Sequence, residues 1–244
     1  KQTREVGTSA GVLLPRSWLN KQVVVTILEP SMEEIARGVF DILIKEKLNF
    51  EVKGLYLYGS YARGDNDERS DIDILVITGE KNRLINSGNY EILLVSEENF
   101  SSGLVENLNY VSALKEAKTI LNKGLIEKYK ARNVKFNNKK YLSEIGRVIK
   151  INKDTIETCE NKVINVPDGI IYSVILRARE LYIIKGIFSN KFYSKWEFIR
   201  LVGEKAYSAY LRVKRNEREI NNLTAGEMMP ILKLSEKWLR ELRE

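Results

Sequence analysis

The sequence predicts an α+β fold: a short mixed sheet with flanking helices, preceded by a small β-hairpin element and followed by an all-α bundle. Three observations predict it. Short apolar runs, Leu55–Tyr58, Ile72–Ile77 and Tyr90–Val95, have strand length and are separated by turn residues. Apolar positions at helical spacing dominate residues 129–244. Residues 1–30 show neither pattern at length; there Val12-Leu13-Leu14 closes at Pro15 and a β-branched run, Val23–Leu28, follows.

Three segments are therefore expected: 1–30, 31–128 and 129–244. In the first, two short strands flank one helical turn, Arg16–Leu19. Such an element cannot bury a core alone, so it needs the main domain or a second copy of the chain. The second segment opens after Pro30 with Ser31-Met32-Glu33-Glu34, a capping box, and Ile35, Val39, Ile42 and Leu43 give the helix behind it a buried stripe. Two strands enclosing a polar stretch follow. Gly88-Asn89 makes a turn into a third strand, and Val111, Leu114, Ala117 and Leu121 mark a helix ending near Gly124. In the third segment Ile171, Val174, Ile175, Ala178, Leu181 and Tyr182 form one helical face, and Phe198, Leu201, Val202, Ala206, Ala209, Tyr210 and Val213 form another. Trp238, Leu239 and Leu242 belong to a last helix. Thr224-x-x-Glu227 can cap its start, with a kink or restart at Met229-Pro230.

The stretch between the first two strands carries the chemistry: Gly59-Ser60, ten residues, then Asp71-x-Asp73. A strand alternates its faces with period two, so Asp71 and Asp73 point the same way. Like charges side by side are unfavourable unless a cation lies between them. Paired hard oxygen ligands suit Mg²⁺, which takes one or two protein carboxylates and leaves the rest to water and phosphate. Glycine lets backbone approach a ligand closely, and the N–H groups opening the next turn, with the Ser60 hydroxyl, can hold an anion. A metal pair beside a phosphate cradle is a nucleotide site. A plain hairpin with surface acids leaves unexplained why two aspartates stand at the start of a strand, where aspartate is disfavoured.

The spacing G-S-x10-D-x-D resembles that of the minimal nucleotidyltransferase family of the DNA polymerase β superfamily. Gly59, Ser60, Asp71 and Asp73 match, and Ala62-Arg63-Gly64 and Ser70 are also typical. The resemblance implies a polymerase-β-type nucleotidyltransferase domain using two Mg²⁺ ions and an NTP, with ATP the expected nucleotide. Asp71 and Asp73 would be metal ligands and catalytic residues. The third carboxylate that such proteins carry on the next strand falls on Glu91, the one acid inside Tyr90–Val95. Gly59, Ser60, Arg63 and Ser70 would bind nucleotide. Arg69 is also within reach of phosphate, whereas Asp65, Asp67 and Glu68 are expected to face water. In antitoxin-type members the acceptor is a hydroxyl on a partner protein.

Two further resemblances are shorter. Gly7, Ser9, Val12, Leu14 and Pro15 are similar to the swapped hairpin of AbrB-like and MazE-like DNA-binding proteins, with Arg4, Arg16 and Lys21 as phosphate contacts. The helical segment resembles HEPN-type domains in architecture only. HEPN ribonucleases carry an Arg-x4–6-His motif for which Arg177 and Arg179 are candidates, but the chain has no histidine.

That lack also removes histidine bases, His-ligated zinc and Ser-His or Cys-His dyads, so proton abstraction falls to a carboxylate or to metal-bound water. A single cysteine, Cys159, excludes an internal disulfide and reads as a small buried hydrophobe in a cytoplasmic protein. No membrane span or signal peptide is expected. The chain begins at Lys1 without methionine, so native residues are expected before it. Of the net charge of +7, residues 31–128 hold 12 Lys/Arg against 17 Asp/Glu, and residues 129–244 hold 24 against 14. The basic segment either binds nucleic acid or simply presents solvated lysines. Three acceptor classes follow: a partner protein, a nucleic-acid 3′ end, or a small metabolite or drug. The alternative of another class is a DNA-binding regulator, a homodimer through residues 1–30, whose nucleotide site is vestigial or sensory.

Overall fold

The computed structural model describes residues 4–24, 29–132 and 134–244. Its fold is α+β, with a mixed five-stranded sheet ahead of a helical bundle. The sheet runs β5-β6-β4-β3-β7, where β3 is Val52–Tyr58, β4 Ile72–Thr78, β5 Arg83–Ser87, β6 Tyr90–Ser96 and β7 Lys118–Leu121. β4 and β6 are parallel, and the other neighbouring pairs are antiparallel. Both faces of the sheet are covered, so its central strands read as continuous apolar runs. Leu55, Leu57, Ile72, Ile74, Val76, Ile92 and Leu94 pack beneath Ile35, Val39 and Leu43 of α1 (Met32–Lys45). On the other face Tyr56, Leu75, Ile77 and Val95 meet Phe100 of α3 (Glu97–Gly103), Ala113 of α4 (Leu108–Glu116), and Ile126 and Tyr129 of α5 (Lys123–Lys130). The Ser31 capping box forms as expected: Glu34 N–H donates to Ser31 Oγ at 3.2 Å, and Ser31 N–H donates back to Glu34 Oε2 at 2.8 Å.

The helix expected over 111–121 is cut short. It ends at Glu116, the chain turns extended at Ala117, and Lys118–Leu121 joins β3 as edge strand β7. Without β7 one edge of β3 would be unpaired, and Thr119 and Ile120 suit a pleated surface. Asn122, at φ +62°, then turns the chain and caps α5, its Oδ1 accepting from Leu125 N–H.

The bundle comprises α6 (Lys139–Asn161), α7 (Asp168–Phe188), α8 (Lys195–Val202), α9 (Glu204–Lys214) and α10 (Ala225–Glu241) around one apolar core. The face expected to run from Phe198 to Val213 is divided between α8 and α9 by Gly203 at φ +85°, where glycine carries no steric penalty. Thr224 and Glu227 form the second capping box, and α10 runs on through Pro230 without a restart. Proline there removes a hydrogen bond to Gly226, which is exposed and can be hydrated. Cys159 is buried in this core. Leu108 of α4 packs into the bundle while Ala113 of the same helix packs under the sheet, so α4 belongs to both cores.

The N-terminal element differs from expectation. Its strands are β1 (Arg4–Val6) and β2 (Ser9–Gly11), an antiparallel hairpin turning at Gly7-Thr8, both ahead of the helical turn Arg16–Trp18. Val12–Leu14 is irregular. Of the second expected strand, Val25–Leu28 lies outside the described residues, as does the Arg4 side chain. Val6, Trp18, Leu19 and Val24 are exposed, so the main domain leaves these side chains uncovered.

Candidate active site

β3 runs straight into α2 (Gly59–Arg63), and the turn between them depends on glycine twice. Gly59 has φ +71°, and a Cβ built on it would overlap Asp73 Oδ2. The Gly-Ser turn and the Asp pair are therefore pressed together across the sheet. Tyr58 is the register partner of Asp73 on β4, and Glu91 is the partner of Asp73 on β6. Paired residues of adjacent strands share a face at a spacing of about 4.8 Å. Asp71, just before β4, Asp73 and Glu91 line one cavity together with Gly59 and Ser60. Its volume is about 960 Å³, and its far side is built by the bundle, from Arg179 of α7, Tyr193, and Tyr207, Tyr210 and Lys214 of α9.

The acids of the motif divide sharply. Asp71, Asp73 and Glu91 make no ion pair and no hydrogen bond among the described residues, whereas Asp65 and Asp67 are tied down. Asp65 is 8 % exposed and pairs with Arg63 at 3.1 Å. Asp67 Oδ2 accepts from Lys195 Nζ at 2.8 Å, and Asp67 N–H donates to Ser70 Oγ at 2.8 Å. The expectation that Asp65 faces water is thus corrected; Asp67 is ion-paired yet keeps 39 % of its side chain exposed, and Glu68 is exposed as expected. The two aspartates' partners Lys195 and Arg215 lie more than a hundred residues away, and folding alone brings them in.

Burial, and then the neighbouring Glu91 carboxylate, push Asp73 from 3.8 up to about 7, with Lys214 and Arg63 pulling the other way. Burial with Asp73 and Glu91 also raises the Tyr58 hydroxyl. A partly buried carboxylate facing another carboxylate, with no ion pair among the described residues to neutralise it, marks a place where a ligand completes the charge balance. The donor set suits a hard divalent cation. Among the described residues no three acidic or cysteine side chains already enclose a metal position. Mg²⁺ does not require such a cage, since it draws much of its octahedron from water and phosphate.

The phosphate-binding half departs from the sequence reading at Arg63. Its Nη1 donates to Glu116 Oε2 at 2.6 Å, its other side meets Asp65, and its face lies over Tyr193 with 5.0 Å to the ring centroid. Glu116 also accepts from Gly59 N–H at 3.2 Å and from Ser112 Oγ. Arg63 is therefore committed to fixing the turn and is not free for a phosphate. Arg69 likewise pairs with Glu217 at 2.9 Å. Ser70 lines the cavity but is fastened to Asp67, while the Ser60 hydroxyl has no partner among the described residues and stays open to an anion. Glu116, Arg179, Tyr207, Tyr210 and Lys214 went unread as site residues. Glu116 is a single acid at the end of a short helix with no motif around it, and the tyrosines sit at spacings that suit a core.

Residues 41–159, just under half of the chain, match the model of the nucleotidyltransferase domain. That span begins in α1, contains the whole sheet and its Gly-Ser and Asp pair, and ends in α6. The comparisons support the nucleotidyltransferase superfamily. Two proteins of Methanocaldococcus jannaschii, each named "Putative protein adenylyltransferase", are 49 % identical over 45 residues (18 % of this chain, 45 % of the relative) and 44 % identical over 55 residues (22 % and 55 %). The chain spans about half the length of the curated relatives it matches. A nucleotidyltransferase-like protein from Exiguobacterium sibiricum covers 85 % of this chain and 75 % of its own at 15 % identity, with a TM-score of 0.33, too low to bear on the fold. The nucleotidyltransferase-domain match is to residues 41–159 alone. It leaves residues 1–40 and 160–244 outside. No helix among the described residues is long and apolar enough to cross a membrane.

Proposed function

We propose that this chain transfers a nucleoside monophosphate, AMP in the first instance, from an NTP to a hydroxyl on a partner protein. The observation that carries the reading is the set of three unpartnered carboxylates, Asp71, Asp73 and Glu91, on one cavity wall beside the Gly59-Ser60 turn. The names of the short-range relatives support the adenylyl group and the protein acceptor, though each is a statement about those proteins.

Asp71, Asp73 and Glu91 would hold two Mg²⁺ ions, which when bound would neutralise phosphate charge and favour the ionised acceptor. The residues themselves act as follows. Gly59 lets Asp73 close against the turn, and the Ser60 hydroxyl donates to phosphate. The acceptor oxygen attacks the α-phosphorus in line, the bond from that phosphorus to the β-bridging oxygen breaks, and pyrophosphate leaves. Glu91 takes the acceptor proton. Arg63 and Glu116 hold the Gly-Ser turn against Asp73 throughout.

Asp71→Asn or Asp73→Asn should lower turnover by at least about a hundredfold, the scale of removing an electrostatic stabiliser. Transfer of label from α-phosphate-labelled ATP into protein measures it. Wild-type-like labelling in both variants would overturn the mechanism.

A further inference from the structure

Once Arg63 is bound to Glu116 and Asp65, the motif itself supplies the cavity with no free cation. An NTP brings about four negative charges to a wall that already carries three carboxylates, so positive charge must come from elsewhere. Each basic side chain around the cavity can be followed to its partner. Lys195 and Arg215 pair with Asp67, Arg69 with Glu217, and Arg63 with Glu116 and Asp65. Two remain, Arg179 on α7 and Lys214 at the end of α9. Neither forms an ion pair among the described residues, and both line the cavity.

Their surroundings point into the same space. The Arg179 guanidinium lies over Tyr193 at 5.1 Å, and Nη1 reaches the Tyr210 hydroxyl only at 3.5 Å, the weak limit of a hydrogen bond. No acidic side chain among the described residues pairs with it, and none of its nitrogens is buried without a partner, so its remaining N–H donors open onto the cavity, where a ligand can accept from them. Tyr193 carries both guanidinium groups over its ring, Arg63 at 5.0 Å and Arg179 at 5.1 Å. The ring thereby fixes Arg179 relative to the Gly-Ser turn. Lys214 lines the same cavity as Asp73 and the Gly-Ser turn.

We propose that Arg179 and Lys214 form the polyphosphate-binding half of the nucleotide site, so that the bundle completes the site that Gly59, Ser60 and the carboxylates begin. This rests on the nucleotidyl-transfer reading above. It assigns to α7 and α9 the anion contacts that the motif's own arginine does not make. Planar, multi-donor Arg179 suits two phosphate oxygens at once, and flexible Lys214 follows as a point charge.

Calorimetry on the full chain separates the possibilities, with inorganic tripolyphosphate and ATP as probes, each with and without magnesium. Lys214→Ala, at an exposed position, and Arg179→Gln should each weaken both probes about tenfold or more, the scale of one charge-assisted contact, with Arg179→Lys recovering part of the loss. The dependence of affinity on salt should become shallower in the same variants. Adenosine binding should not change. The double variant Asp71→Asn/Asp73→Asn should keep magnesium-free tripolyphosphate binding. Unchanged ATP affinity in both Lys214→Ala and Arg179→Gln, with ATP binding lost in the aspartate double variant, would overturn the subsite and leave nucleotidyl transfer standing. A wild-type chain that binds no NTP would overturn both.

Discussion

Gly59 shows how closely two halves of a site can be joined by a missing side chain. Its φ of +71° costs most residues about 1 kcal/mol or more, and the overlap of a new Cβ with Asp73 Oδ2 adds to it. Gly59→Ala must push β4 from α2 or rotate Asp73, so it should abolish measurable NTP binding. It should also lower stability by roughly 1–3 kcal/mol. Calorimetry and urea melts check the two effects, and a variant that binds NTP normally would refute the close approach. Sequence shows the glycine and its spacing but not how the acids divide. Asp65, Asp67, Asp71 and Asp73 look alike along the chain. Two are anchored and two are open because Lys195, Arg215 and Arg63 form ion pairs with the first pair and, among the described residues, no cation pairs with the second. Arg63 was read as a phosphate contact because Glu116, its strongest partner, lies 53 residues away on another helix.

At the scale of elements, strands β3, β4 and β6 were legible because each is an apolar run buried on both faces. β7 was not, because Ala117 and Leu121 continue the helical spacing of Val111 and Leu114; pairing with β3 decides otherwise. Gly203 likewise divides a continuous apolar pattern into α8 and α9. The wall of the cavity made by α7 and α9 is held by Asp168, which is fully buried at the start of α7. It accepts from Arg212 Nε at 2.8 Å and from the Ile220 and Asn221 N–H groups. Burial works to raise its carboxyl, but the Arg212 hydrogen bond and the two N–H groups outweigh it and hold it below 3.8. A carboxyl depressed in the folded state adds stability that is present above its unfolded value and is lost as pH falls through the folded one. Asp168→Asn should therefore destabilise the protein by about 3 kcal/mol at pH 7, where Arg212 is left unpaired, and by less near pH 3. Thermal melts at the two pH values test this; an equal loss at both would refute the ion pair as its cause.

For the whole molecule, the sheet and the bundle have separate apolar cores, joined through α4 and through salt bridges from the motif loop to α8, to the end of α9 and to Glu217 beyond it. That joint is the cavity. The charge asymmetry of the sequence has its counterpart there, with open carboxylates on the sheet side and Arg179 and Lys214 on the bundle side. The bundle's basic residues were legible as an excess without a location. Only the pairing of the other basic side chains around the cavity with acids singles out two.

The central claim is that Asp71, Asp73 and Glu91 make a nucleotide site completed by a divalent cation. Magnesium-dependent binding of each NTP by calorimetry, on the wild type and on Asp71→Asn/Asp73→Asn, tests it most directly. Binding that magnesium strengthens in the wild type and does not strengthen in the double variant is the predicted result. Equal binding by the two proteins, or none to any NTP, would contradict it.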